Sequence, residues 1–155
     1  MPLRFNHMEL TLPIGSLDPG GAREDISKFY GEIFGFRSTD VFIVKQNCLL
    51  LATDDETSQF ILLSQSKTPL QSPGYDHLGF LCKDWDEVDA LREKCEKWQA
   101  QDDRVQLKYY DDLDAGPNAQ VRAFYVKYIL PIWFDVQAFK YADESAIPKV
   151  QWRYQ

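Results

Sequence analysis

Tyr75-Asp76-His77-Leu78-Gly79-Phe80 follows a Pro73-Gly74 turn and opens an apolar run. It carries one of the two histidines in the chain. The other, His7, stands in a matching stretch near the start, Asn6-His7-Met8-Glu9-Leu10. Each stretch predicts a strand, and each is followed by an amphipathic helix and then by more strands. That duplication organises the chain and points to a metal site between two halves.

Outward from the histidines the pattern is regular. Residues 4–12 alternate with period two: Asn6, Met8, Leu10 and Leu12 on one face, Phe5, His7, Glu9 and Thr11 on the other. Residues 13–21 are dense in Pro and Gly and read as a loop. A helix is expected from Ala22, with Ile26, Phe29, Tyr30 and Ile33 at helical spacing and Gly35 just past its end. Strands follow over 36–45, 48–53 and 59–65, with turns at Gln46-Asn47 and 54–56. After a polar, proline-containing stretch the plan repeats with a strand over 76–82. Asp84 and Glu87 then form a capping box ahead of the stripe Trp85, Val88, Leu91, Cys95 and Trp98. Strands over 105–110, 121–128 and 132–139 complete it, the last two joined around Pro131, while Asp111-Asp112-Leu113-Asp114 reads as a solvated loop. The order is β-α-β-β-β twice. It predicts an α+β fold, two βαβββ modules forming a curved mixed sheet around a cup. One domain, 1–155, is expected, with halves 4–65 and 75–141, a linker 66–74, and a tail 142–155 carrying Trp152 and Tyr154.

The bulk numbers narrow the function. A net charge of −7 and the absence of any Lys/Arg run longer than two residues disfavour a nucleic-acid partner. No apolar run reaches the ~20 residues of a membrane span. No basic flank with an apolar core opens the chain, so no signal peptide is expected. Three cysteines, Cys48, Cys82 and Cys95, with no CxxC spacing, fit reduced thiols and a cytoplasmic setting.

Strand 132–139 carries the chemical reading. Ile132, Phe134 and Val136 face one side; Trp133, Asp135 and Gln137 face the other. A carboxylate in so apolar a strand is costly to bury without a partner. His7, His77 and Asp135 together make two imidazoles and one carboxylate, the set that suits Fe(II) and leaves positions open for substrate and oxygen. The same donors accept Zn, Mn, Ni or Co.

The pieces NHMELTL, FYGEIFGF, DHLGFLC and FDV, in this order over roughly 4–140, resemble the vicinal oxygen chelate superfamily. That superfamily includes glyoxalase I, extradiol dioxygenases, fosfomycin-resistance enzymes and bleomycin-binding proteins. The resemblance implies metal ligands at His7, His77 and Asp135, Asp standing where Glu is usual. The fourth strand, 59–65, offers only Gln59 as a further ligand. This favours a three-ligand, dioxygenase-like site over a four-ligand, glyoxalase-like one. Tyr128-Ile129-Leu130-Pro131 stands where the family has an Asp-Pro-Asp-Gly-like turn. The resemblance also implies a homodimer.

Glu9, two residues from His7 on the same face, is the candidate general base, imidazole-orienting group or alternative ligand. Phe5, Trp133 and Gln137 are the candidate pocket residues for an aromatic or apolar small molecule. The leading expectation is a metal-dependent enzyme acting on a phenolic or vicinal-dioxygen substrate by ring cleavage. Glyoxalase-type lyase or isomerase chemistry is the alternative, and a metal-free bleomycin-resistance-like binder is the rival of a different class. In the plainest reading the histidines and Glu9 are ordinary strand residues, and Asp135 pairs with Arg122 or Lys140.

Overall fold

The computed structural model describes Leu3, residues 5–56 and residues 58–147. Within these the chain forms β1 (His7–Pro13), α1 (Arg23–Phe34), β2 (Arg37–Ile43), β3 (Gln46–Ala52) and β4 (Phe60–Ser66). Then come β5 (His77–Leu81), α2 (Trp85–Gln99), β6 (Gln106–Tyr109), β7 (Leu113–Asp114), β8 (Ala119–Lys127) and β9 (Trp133–Tyr141). A single 3-10 turn, Glu144–Ala146, follows. Trp152 and Tyr154 lie outside the described residues.

The chain divides into two compact units. One takes the chain up to Gly74 together with Tyr128–Pro131; the other takes Tyr75–Lys127 and the chain from Ile132 onward. In the first unit the sheet order is β1-β4-β3-β2, with β1 parallel to β4 and the other pairs antiparallel. In the second it is β5-β9-β8-β6, with β5 parallel to β9 and the rest antiparallel. The βαβββ repeat read from the sequence is therefore a repeat of connectivity. The added β7 pairs with β8, so part of the expected Asp-rich loop is a short strand held by Leu113 opposite Val121.

In the first unit Leu10, Leu12, Ile61, Leu63, Leu49 and Leu51 are buried, and so are Ile26, Phe29, Tyr30 and Ile33 of α1. Gly35 ends α1 at φ 72°, returning its N–H to the Gly31 carbonyl, a conformation glycine adopts without a Cβ clash. In the second unit α2 packs against β8, β9 and β6. Asp84 caps it, accepting from the Glu87 N–H at 2.9 Å. The Glu87 carboxylate accepts from the Lys83 N–H, one residue before the expected box partner.

The β2–β3 turn departs from the expectation. It falls on Val44-Lys45, at φ 50° and 61°, and not on Gln46-Asn47. Two residues at positive φ form the type I′ geometry that suits a two-residue hairpin. Each L-residue there costs about 1–2 kcal/mol. The resulting register pairs Leu49 with Leu63 and Leu51 with Ile61 and buries all four. Each such side chain gains about 1.5–3 kcal/mol on burial, so burial overrides local turn preference.

All three cysteines are free and buried. Burial pushes the Cys82 and Cys95 thiols up to about 12, with nearby acidic side chains adding to the effect. At pH 8 that leaves a thiolate fraction of about 10⁻⁴ at each. The native protein should release less than one equivalent of chromophore with a disulfide reagent at pH 8, and three after unfolding in urea. Because the folded thiols hold their protons more tightly, their stabilising contribution is present below the ordinary thiol value of 9.0 and is lost as pH rises toward about 12. The urea midpoint should fall over that window.

Candidate metal centre

Strand pairing brings His77 and Asp135 to one face of the second sheet. His77 is opposite Trp133 on β9, and Gly79 is opposite Asp135, so His77 and Asp135 are diagonal neighbours. His77 Nδ1 lies 2.7 Å from the Tyr75 carbonyl oxygen. A carbonyl oxygen only accepts, so Nδ1 carries the proton and Nε2 presents its lone pair. That Nε2 lies 3.8 Å from Asp135 Oδ2. Two acceptors thus face each other, and either a proton on Nε2 or a shared cation reconciles them.

Asp135 is 6% exposed, and its Oδ1 has no hydrogen-bond partner among the described residues. Burial pushes its carboxyl above the usual range, against the pull of His77 and of the Tyr125 hydroxyl. The alternative partners are engaged elsewhere. Arg122 faces α2, donating to Asp89 at 2.7 Å and to Asp112 at 2.8 Å, and Lys140 lies over the Trp85 ring. The reason is register: Arg122 pairs with Ala138, on the opposite face of the sheet from Asp135.

His7 repeats the tautomer logic on β1. The Asn6 amide donates to the Ser58 carbonyl at 2.8 Å, which turns Asn6 Oδ1 toward His7 Nδ1 at 2.7 Å. Nδ1 therefore donates, and Nε2 is the lone-pair nitrogen. The His7 ring stacks on Phe60, centroids 4.8 Å apart. Glu9, on the same face, accepts from the Ser64 hydroxyl at 2.6 Å. Among the described residues no three His, Cys, Asp or Glu side chains gather as a metal-binding group.

Of the expected pocket residues, Phe5 belongs to the first unit and Trp133 and Gln137 to the second. Phe5 is exposed. Trp133 is buried at 5% exposure beneath Lys108 and Lys127, whose ammonium nitrogens lie 4.7 and 5.9 Å from its ring centroid. Gln137 lines a cavity of about 140 Å³ together with Leu113, Val121, Ala123, Tyr125 and Asp135. The sequence reading had not singled out Tyr125. It pairs with Asp135 across β8–β9, and its ring meets His77 edge-on at 5.3 Å. Burial and the Asp135 charge push its phenol up. Alternation along β8 from Ala123 was the signal that could have found it. Lys108 was missed as well; its Nζ sits 3.6 Å above the Tyr75 ring.

The two mixed sheets and two helices have a fold shared with solved glyoxalase and fosfomycin resistance proteins. A glyoxalase family protein from Bacillus anthracis superposes with TM-score 0.62 at 16% identity, over 90% of this chain and 98% of that one. The fosfomycin resistance protein FosX from Listeria monocytogenes gives 0.63 at 17% identity, over 92% of each chain. A possible glyoxalase from Bacillus cereus gives 0.54 at 19% identity, over 90% of this chain and all of that one. No family model and no curated relative matches the sequence. The likeness is one of fold. No helix among the described residues is long and apolar enough to cross a membrane.

Proposed function

We propose that the protein is a metal-dependent enzyme acting on a small molecule through two adjacent oxygens. The observation that carries this is the His77 lone pair facing Asp135 at 3.8 Å, with the second Asp135 oxygen buried and unpartnered. An acceptor pair of this kind fits a divalent cation, and a nitrogen-plus-carboxylate set accepts Fe(II), Zn, Mn, Ni or Co. The third donor is assigned to His7 of a second copy in a homodimer, since among the described residues no three such side chains gather. The bound ion would act as a Lewis acid on the substrate's oxygens.

The protein's own groups do the rest. The Tyr75 carbonyl and Asn6 amide hold the two imidazoles in the tautomer that offers Nε2. Tyr125 stands beside Asp135 to orient an incoming oxygen, and Glu9 of the same second copy, its carboxylate positioned by Ser64, is the proposed base. Ring-cleaving oxygenation of a phenolic or vicinal-dioxygen substrate is the favoured branch with Fe(II), since three protein ligands leave room for two further ligands. Glyoxalase-type isomerisation is its alternative, supported by the glyoxalase descriptions of two structural neighbours. A cytoplasmic location goes with the three free thiols.

Protein purified after loading with Fe(II), Zn(II), Mn(II) or Ni(II) should retain about one ion per chain by elemental analysis. His77→Ala should lower this at least about 100-fold in affinity, and His7→Ala should lower it too. No stoichiometric metal in the wild type, with His77→Ala indistinguishable from it, would leave the metal-free binding protein as the reading. Oxygen uptake by the iron form with catechols tests the branch; no uptake eliminates ring cleavage of those substrates. Sedimentation as a monomer at micromolar concentration would remove the second-copy ligand.

A further inference from the structure

Two lysines stand on the face of the second sheet that carries the His77–Asp135 pair. Lys108 on β6 pairs with Tyr125, which pairs in turn with Asp135, so all three lie in one row across the sheet. The Lys108 side chain leans from that row over Tyr75 and Trp133. Trp133 is the strand partner of His77, so the ammonium is directed to the histidine end of the pair. Lys127 reaches the same indole from β8. Neither lysine has a carboxylate within ion-pair distance among the described residues, in a chain of net charge −7 with carboxylates to spare.

Lys108 hydrogen-bonds the Tyr75 side chain, which leaves it further N–H donors, and two ammonium groups near one indole repel each other. An anion between them would relieve both. On the other side of Asp135 the 140 Å³ cavity has an apolar wall of Val121, Ala123 and Leu113, and Asp111, Asp135 and Gln137 are its polar lining. A space of about 140 Å³ has room for a single six-membered ring or a short branched chain.

We propose that this face binds a small oxyanion, of the carboxylate or phosphonate type. Lys108 and Lys127 hold its charged group above Trp133, and its apolar remainder, one ring at most, enters the Ala123 cavity. The molecule then lies across Asp135, with its oxygens at the His77 end. The proposal deepens the functional reading above, since it takes the same face as the substrate face. Its ligand contacts, however, come from groups that hold no metal.

The test uses full-length protein stripped with EDTA, so that it is independent of metal binding. Benzoate and phenylphosphonate are titrated against the neutral analogues benzamide and benzyl alcohol, followed by the Trp133 indole N–H resonance. Both anions should bind at least about tenfold more tightly than the neutral compounds, the worth of one or two charge-assisted hydrogen bonds. Lys108→Met should remove that preference while leaving benzyl alcohol binding unchanged, Lys108→Arg should retain it, and Lys127→Met should weaken it. Ala123→Leu, which fills the cavity, should abolish binding of the ring compounds but not of acetate. Equal affinity for anions and neutral analogues would overturn the proposal, as would Lys108→Met losing both alike while still folded by circular dichroism. Anion selectivity in a protein that retains no metal would instead sink the metal reading and leave this one standing.

Discussion

Asp135→Asn should make the metal-free protein more stable and at the same time abolish metal retention. The carboxylate is buried, has one oxygen without a partner, and places the other 3.8 Å from an imidazole lone pair. Without a cation the site is an acceptor facing an acceptor, and the folded chain bears the cost of desolvating a charge. Asparagine has nearly the same shape but brings an N–H₂ group. Its amide can donate to His77 Nε2, so that acceptor no longer faces acceptor, and the buried negative charge is gone. Relief of one unsatisfied buried group contributes about 1–3 kcal/mol. For a chain of this length that raises the melting temperature by several degrees. Calorimetry of EDTA-treated wild type and variant measures the gain. Metal content should fall with the loss of the anionic ligand, and catalysis with it, by at least about 100-fold. The two effects must appear together. A variant less stable than the wild type in EDTA would show that Asp135 is satisfied in the metal-free fold, and that a proton on His77 completes the pair.

The reason this site could be read from sequence lies in period two. His77, Trp133, Asp135 and Gln137 fall on one sheet face because alternation fixes facing once the strands are placed. The apolar alternation around them placed the strands. Two kinds of information were absent. Pairing partners across a sheet depend on register, so Tyr125 as the neighbour of Asp135, and Arg122 as a residue of the helix face, became visible only with β8 set against β9. Long flexible side chains do not follow alternation closely, and Lys108 lies over Tyr75 and Trp133 because cation–aromatic attraction draws it there. The Val44-Lys45 turn shows the same limit from another side. Asn47 is the better turn former locally, yet the leucines of β3 set the register.

Tyr128→Ala should cost about 3–5 kcal/mol, a large share of the 5–15 kcal/mol that stabilises a typical domain. Tyr128-Ile129-Leu130-Pro131 links β8 to β9, where a polar turn was the family expectation. It instead belongs to the first unit. Tyr128 and Leu130 are buried at 1% and 0% exposure. The Tyr128 ring lies 4.3 Å from that of Phe29, and its carbonyl accepts from the Tyr30 hydroxyl at 2.8 Å. To place both side chains the backbone turns within three residues. The Leu130 N–H returns to the Tyr128 carbonyl at 2.6 Å, with Ile129 at φ 61°. A β-branched residue at positive φ costs about 1–3 kcal/mol. Burying Tyr128 and Leu130 gains about 1.5–3 kcal/mol each, which is enough to hold the strained turn. Truncating Tyr128 removes the larger of these gains and leaves a cavity against Phe29. The urea midpoint should drop accordingly with an unchanged slope. A loss below about 1 kcal/mol would mean the first unit's core closes without this segment. A loss of the expected size means that residues 1–74 make a complete core only with four residues from far along the chain. A fragment ending at Gly74 should then show no cooperative unfolding transition.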